Sequence, residues 1–104
     1  MVHKVIILSK AYSQFQSICD YLAEEFGERI SDGFEFEVEN CVAMLRKFPE
    51  SGHPEPIESK YQYRSRIVGE YNKMYYYLRR NTLVIAAFAD MRMSPDNIRK
   101  AIIG

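Results

Sequence analysis

The apolar residues of this chain change their period once, at a stretch that neither a helix nor an interior strand can cross. Pro49-Glu50-Ser51-Gly52-His53-Pro54-Glu55-Pro56 holds three of the four prolines and a glycine. Before it, apolar side chains recur every three or four residues, and after it every second residue. Helices must therefore lie mainly on one side of this connector and strands on the other. The connector itself reads as an ordered surface loop.

In the helical half, Tyr12, Phe15, Ile18, Cys19, Leu22 and Phe26 form one stripe behind Ser9, a good N-cap, and Gly27 supplies a left-handed C-cap. A second stripe follows in Ile30, Phe34, Val38, Cys41, Val42, Leu45 and Phe48, stopped by Pro49. So few residues separate the two that an antiparallel helical hairpin is expected. Ahead of it, Val2 to Leu8 is short, β-branched and nearly all apolar after Lys4, the pattern of a strand covered on both faces.

In the second half, Tyr61 to Val68, Tyr71 to Leu78 and Thr82 to Ala89 read as a three-stranded meander broken at Gly69-Glu70 and Arg79-Arg80-Asn81. The last strand is apolar on both faces and should be the central, doubly covered one. Ser94-Pro95 then opens a short helix with Ile98, Ala101 and Ile102 on its stripe. The order β-α-α-β-β-β-α argues an α+β fold, a helical hairpin packed on a small twisted, mainly antiparallel sheet, with the opposite face partly open and the basic residues of the second half projecting from it. At 104 residues the chain is one domain, 1–104.

A formal net charge of zero conceals a split. Residues 1–58 carry five Lys and Arg against eleven Asp and Glu, and residues 59–104 carry nine against three. Opposite halves of this kind suit one acidic and one basic face, or merely a division along the chain that no face inherits. No apolar run approaches the roughly 20 residues of a membrane span, so a cytoplasmic protein without membrane contact is expected. Two cysteines, Cys19 and Cys41, lack metal-ligand spacing and read as core thiols. His3 and His53 offer poor material for a triad, and no phosphate-binding loop, dinucleotide fingerprint or H-E-x-x-H motif occurs. No metal and no cofactor is called for.

Six of the eight tyrosines fall between residues 61 and 77, interleaved with Arg64, Arg66, Lys73, Arg79 and Arg80, and Arg92 follows close behind. Such a surface can stack bases and neutralise phosphates, or supply interface hot spots, or simply reflect tyrosine's preference for strands. Alternation puts Arg64 and Arg66 on one side of their strand. Arg92 either clamps an anion bidentately or pairs with Asp90 to order its turn.

Several pieces in order resemble the RelE/ParE superfamily of toxins from bacterial type II toxin–antitoxin modules. They are the first strand ending in Leu8-Ser9, Tyr21-Leu22-Ala23-Glu24-Glu25-Phe26-Gly27, Leu45 with Phe48-Pro49-Glu50-Ser51-Gly52, Tyr63-Arg64, the strand Tyr71 to Tyr77, and Phe88-Ala89-Asp90-Met91-Arg92-Met93-Ser94-Pro95. The P-x-x-G turn favours the ParE-like branch. That branch implies growth inhibition by protein contact with DNA gyrase, without catalytic residues, and neutralisation by a cognate antitoxin. Arg64, Arg66, Lys73, Tyr76 and Arg92 would then meet the antitoxin or target. The RelE-like alternative implies a metal-independent, ribosome-dependent mRNA endoribonuclease with Arg64, Tyr76 and Arg92 at the matching catalytic positions. The final helix, Asp96 to Gly104, departs from that pattern in lacking both Tyr and His. A third reading is an inactive relative that only binds its antitoxin.

Overall fold

The computed structural model describes residues 2–103. The elements are β1 (Lys4–Ile7), α1 (Ser9–Phe26), α2 (Glu28–Lys47), β2 (His53–Pro54), β3 (Arg64–Val68), β4 (Asn72–Arg79), β5 (Thr82–Asp90) and α3 (Pro95–Ile103). They form one α+β arrangement in which a five-stranded sheet, ordered β1-β5-β4-β3-β2, carries the helices. The helical hairpin carries the chain from β1 to β2 at the opposite edge, and β2 to β5 return antiparallel, neighbour by neighbour, until β5 lies parallel beside β1.

Gly27 joins α1 to α2 with φ of 96°. Its N–H donates to the Ala23 carbonyl at 3.0 Å and its own carbonyl accepts from Ile30 and Ser31. A positive φ lets this one residue close the first helix and open the second. The residue preceding α1 is Leu8, so the expected Ser9 cap is instead the first helical position.

The hairpin buries its stripes on one sheet face. Phe34, Val38, Cys41 and Leu45 of α2, with Phe15, Ile18 and Leu22 of α1, pack against Val68, Met74, Tyr76, Leu83, Ile85 and Phe88. A β-bulge makes that set possible. Tyr75 lies opposite Ala87 and Tyr76 opposite Ile85, so Ala86 is an extra residue in β5. Beyond it the strand alternates in the opposite phase, and Phe88 joins Leu83 and Ile85 under the helices.

The other face is closed, not partly open as the sequence suggests. Tyr63, Tyr75, Tyr77, Val84, Ala86, Ala87, Ala89 and Ile102 form a second core, with Ile57, Tyr61, Ile98 and Ala101 packed against it. The cover is therefore α3 together with the segment before β3. Small alanines on β5 leave a trough, and the apolar stripe of α3 loses water contact by settling into it. The end of α3 is fastened from α1, where Lys10 Nζ donates to the Ile102 carbonyl and Gln14 Nε2 to Ala101 at 3.0 Å. Gln14 Oε1 accepts from the Phe88 N–H at 2.8 Å, tying the bulged strand to the same joint.

β1 also differs from expectation. It is an edge strand, with Ile6 38 % and Ile7 50 % exposed, rather than a strand covered on both faces. Four residues are too short a run for periodicity to separate an edge from an interior position.

Candidate functional site

β3 and β4 set the positions of four of the five sequence-nominated residues. Arg64 faces Tyr76 directly in the ladder, and Arg66 faces Met74. Arg64, Arg66 and Tyr76 turn toward the hairpin, since Tyr76, Met74 and Val68 lie in the core beneath it. Alternation puts Arg64 and Arg66 on one side, but that side is not the face opposite the helices to which the sequence assigns the basic residues. Lys73, opposite Ile67, turns to the other face.

Arg64 and Tyr76 act together on the proline-rich connector. Arg64 Nη1 donates to the carbonyls of Glu50 and Gly52 at 3.0 and 2.9 Å. The Tyr76 hydroxyl donates to the Pro49 carbonyl at 2.7 Å and accepts the Gly52 N–H at 2.9 Å. Tyr76 is fully buried. Burial pushes its phenol above the ordinary tyrosine range, against the pull of the Gly52 bond and of Arg64 and Arg66. Gly52 is the residue this contact requires, because a Cβ there would sit 2.4 Å from the Tyr76 hydroxyl oxygen. Residues 49–52 are thus clamped by two side chains whose polar groups are already engaged.

Arg66 is half-buried and meets sulfur among the described residues, donating Nη2 to the Met44 thioether at 3.7 Å and lying beside the Cys41 thiol. Burial pushes the nearby Cys41 thiol up, opposed by the Arg66 charge. Among the described residues no carboxylate lies within ion-pairing distance of Arg64 or Arg66; the two ion pairs there are Lys73 with Glu55 at 3.2 Å and Arg92 with Asp90 at 2.6 Å. Glu55 Oε2 also accepts from Ser65 Oγ at 2.6 Å.

Arg92 follows β5 at the other end of the sheet. It grips Asp90 through Nε at 3.0 Å and Nη2 at 2.6 Å, while its backbone N–H bonds the same carboxylate. The guanidinium hydrogen bond holds the Asp90 carboxyl below its ordinary pKa. The guanidinium lies 4.0 Å over the Tyr71 ring. Asp90 pairs with Asn72, four residues along β4 from Tyr76, which places Arg92 about 13 Å down the strand from the Arg64 level. The structure brings together Arg64, Arg66 and Tyr76; it puts Lys73 on the reverse face and Arg92 at a separate end.

The tyrosines are mostly structural. Tyr63, Tyr75, Tyr76 and Tyr77 are buried, and Tyr61 stacks on Tyr77 with centroids 4.0 Å apart. Tyr71 is the exposed member of the six between residues 61 and 77; Tyr12 and Tyr21 on α1 are exposed as well.

Sequence reasoning missed two surface depressions. A cleft of about 1420 Å³ opens between the hairpin tip and the far end of the sheet, floored by Leu22, Phe34 and Phe88 and flanked by Tyr21, Phe26 and Ile30. Phe26 is 61 % exposed and Ile30 49 %, although both lie on the stripes read as core. The available signal was that the apolar stripes continue across Gly27, beyond the length of the strands they cover. The second depression, about 600 Å³, runs beside β3 and is lined by Ser51, His53, Ser65, Arg66, Ile67 and Lys73. Among the described residues no group of three or more His, Cys, Asp or Glu is placed to hold a metal ion. No helix among them is long and apolar enough to cross a membrane.

This architecture defines a class, a helical hairpin that joins the two edge strands of a mixed sheet, in which β2 to β5 form an antiparallel run and β5 lies parallel to β1. A solved structure of the same fold is a chain of a chromosomal ParDE toxin–antitoxin system from P. aeruginosa. The two superpose with a TM-score of 0.71 at 13 % identity, over 88 % of this chain and 98 % of that one. No family model and no curated protein matches the sequence.

Proposed function

We propose that this chain is the toxin component of a cytoplasmic type II toxin–antitoxin module, ParE-like, acting by contact with DNA gyrase and held in check by a cognate antitoxin. The observation that carries this reading is the fold shared with the ParDE chain over nearly the whole length of both. The site favours protein contact over phosphodiester chemistry. Tyr76, the nominated proton-transfer group, has its hydroxyl buried and engaged at both donor and acceptor sides, and Arg92 is neutralised by Asp90 far from Arg64. The exposed apolar cleft is the kind of surface on which aromatic anchors of a companion protein bind.

The test is supercoiling by purified gyrase with and without the protein, run beside an in vitro translation assay. Inhibited supercoiling with intact translation is expected; cut transcripts with unaffected gyrase would establish the endoribonuclease instead, the reading favoured by Arg64, Arg66 and Tyr76 meeting on one face. Growth arrest on expression, relieved by the neighbouring open reading frame, separates either toxin from an inactive relative.

A further inference from the structure

β3 has a partner along only part of its outer edge. The two residues of β2 pair with Ser65 and Arg64 and go no further. Glu55 N–H bonds the Tyr63 carbonyl at 2.9 Å, so in an alternating ladder Tyr63, Ser65, Ile67 and Gly69 direct their backbone groups outward, away from β4. The outward Gly69 N–H is taken by the Glu37 carboxylate. Ile67, 62 % exposed, lies between these two ends with its N–H and carbonyl facing the 600 Å³ slot left where β2 stops.

Beside that slot sits a guanidinium without a counter-ion. Arg66 is half-buried, meets only sulfur, and has no carboxylate within 4 Å among the described residues. His53 and Lys73 border the same depression, and the carboxylates on either side are engaged elsewhere, Glu55 with Lys73 and Ser65 and Glu37 with the Gly69 N–H. A half-buried charge with weak partners is a stable arrangement when an anion completes it. An unpaired backbone N–H and carbonyl on a strand edge are both satisfied by another extended backbone.

We propose that the slot beside Ile67 receives an extended, acidic segment of a partner protein, which adds to the sheet by bonding the Ile67 backbone and seats a carboxylate on Arg66. The two requirements lie side by side, and a peptide with an acidic residue one position from its pairing residue meets both. Nucleic acid meets the charge, and the His53 ring is there for one base to stack on, but it offers no backbone ladder for the Ile67 N–H and carbonyl. The inference goes beyond the toxin reading and does not depend on it, because it is tested on the purified chain with no antitoxin or gyrase present.

The probe is a blocked heptapeptide, Thr-Val-Glu-Val-Glu-Val-Thr, titrated into the full chain and followed by amide chemical shifts. Saturable binding is expected, with the largest shifts at Ser65 to Val68 and weakening as salt is raised. Arg66→Gln should weaken it about tenfold, as should replacing the two glutamates of the peptide by glutamine, since a charge-assisted bidentate contact is lost. N-methylation of the central valine should abolish it with the protein itself unchanged. Equal binding of the glutamine peptide, or shifts centred on any other edge, would overturn the proposal. So would inorganic phosphate that reproduces the Arg66 response at the same strength with no change at Ile67, or a hexauridine that binds the slot while the peptide does not.

Discussion

The two faces of the sheet are buried by different means. Under the hairpin, the cover is two long amphipathic helices that meet aliphatic and aromatic side chains, with Leu45, Met74, Leu83 and Ile85 almost fully enclosed. Under α3, a nine-residue helix and an irregular segment lie on alanines and stacked tyrosines. The first face has regular periodicity and many contacts made along whole helices. The second relies on a short helix fastened at its end by Lys10 and Gln14. The hairpin face should therefore set global stability, and the α3 face should open locally at lower free energy.

The sharpest test is Leu45→Ala, which removes a fully buried side chain between α2 and the sheet. It should destabilise the chain by about 2–5 kcal/mol in denaturant unfolding, with amide protection lost throughout. Ile102→Ala on the other face should cost near the lower end of that range, about 2 kcal/mol, with protection lost in α3 while α1 and α2 stay protected. Equal, global loss in both variants would erase the distinction. Tyr76→Phe keeps the ring in the hairpin-side core but leaves the Gly52 N–H and the Pro49 carbonyl without their partner. It should cost about 1–3 kcal/mol and free residues 49–52, seen as new protease cleavage there.

Alkaline titration addresses the second face alone. Burial, and then the Glu55 charge, push Tyr75 up from 10.0 to about 12. A raised folded pKa means that the neutral phenol favours the native state. That contribution is complete below the unfolded value near pH 10 and is lost as pH rises toward about 12. Tyrosinate absorbance should accordingly show a late-ionising group accompanied by loss of α3, and Tyr75→Phe should remove that step. The smallest effect is expected at Arg92→Gln. Its ion pair with Asp90 is solvent-exposed and belongs to neither core, so the unfolding midpoint should stay at the wild-type value.

The same contrast explains which parts of the fold were legible in the sequence. Helix periodicity located α1 and α2 because each stripe repeats over four or more turns, and alternation located β3 to β5. The cover on the second face was not legible, because Ile57 follows the proline-rich connector without a period, Tyr61 reads as part of a strand that in fact begins at Arg64, and α3 is barely two and a half turns long. The bulge at Ala86 was hidden as well. A run of apolar residues in β5 has no polar positions to mark where the phase changes.

At the site, sequence alternation correctly placed Arg64 and Arg66 on one side; that Tyr76 joins them, and that their side is the one under the hairpin, depends on the cross-strand register, which no single strand encodes. Alternation could not show that Arg64 and Tyr76 close on the backbone of residues 49–52, since a carbonyl acceptor has no sequence signature. Asp90-Met91-Arg92 did carry a signal, as both outcomes weighed for Arg92 follow from its spacing. The pair with Asp90 is the one realised.

The extra residue in β5 also bears on how such a chain tolerates changes in length. Removing Ala86 would leave Ile85 followed by Ala87, Phe88 and Ala89, so large and small side chains would still point to the layers they occupy now, on a straighter strand. Removing Val84 or Leu83 instead would turn the preceding part of the strand over. A one-residue deletion that is harmless at Ala86 and ruinous two or three positions earlier makes this strand a built-in phase adjuster, with a single place where chain length can vary.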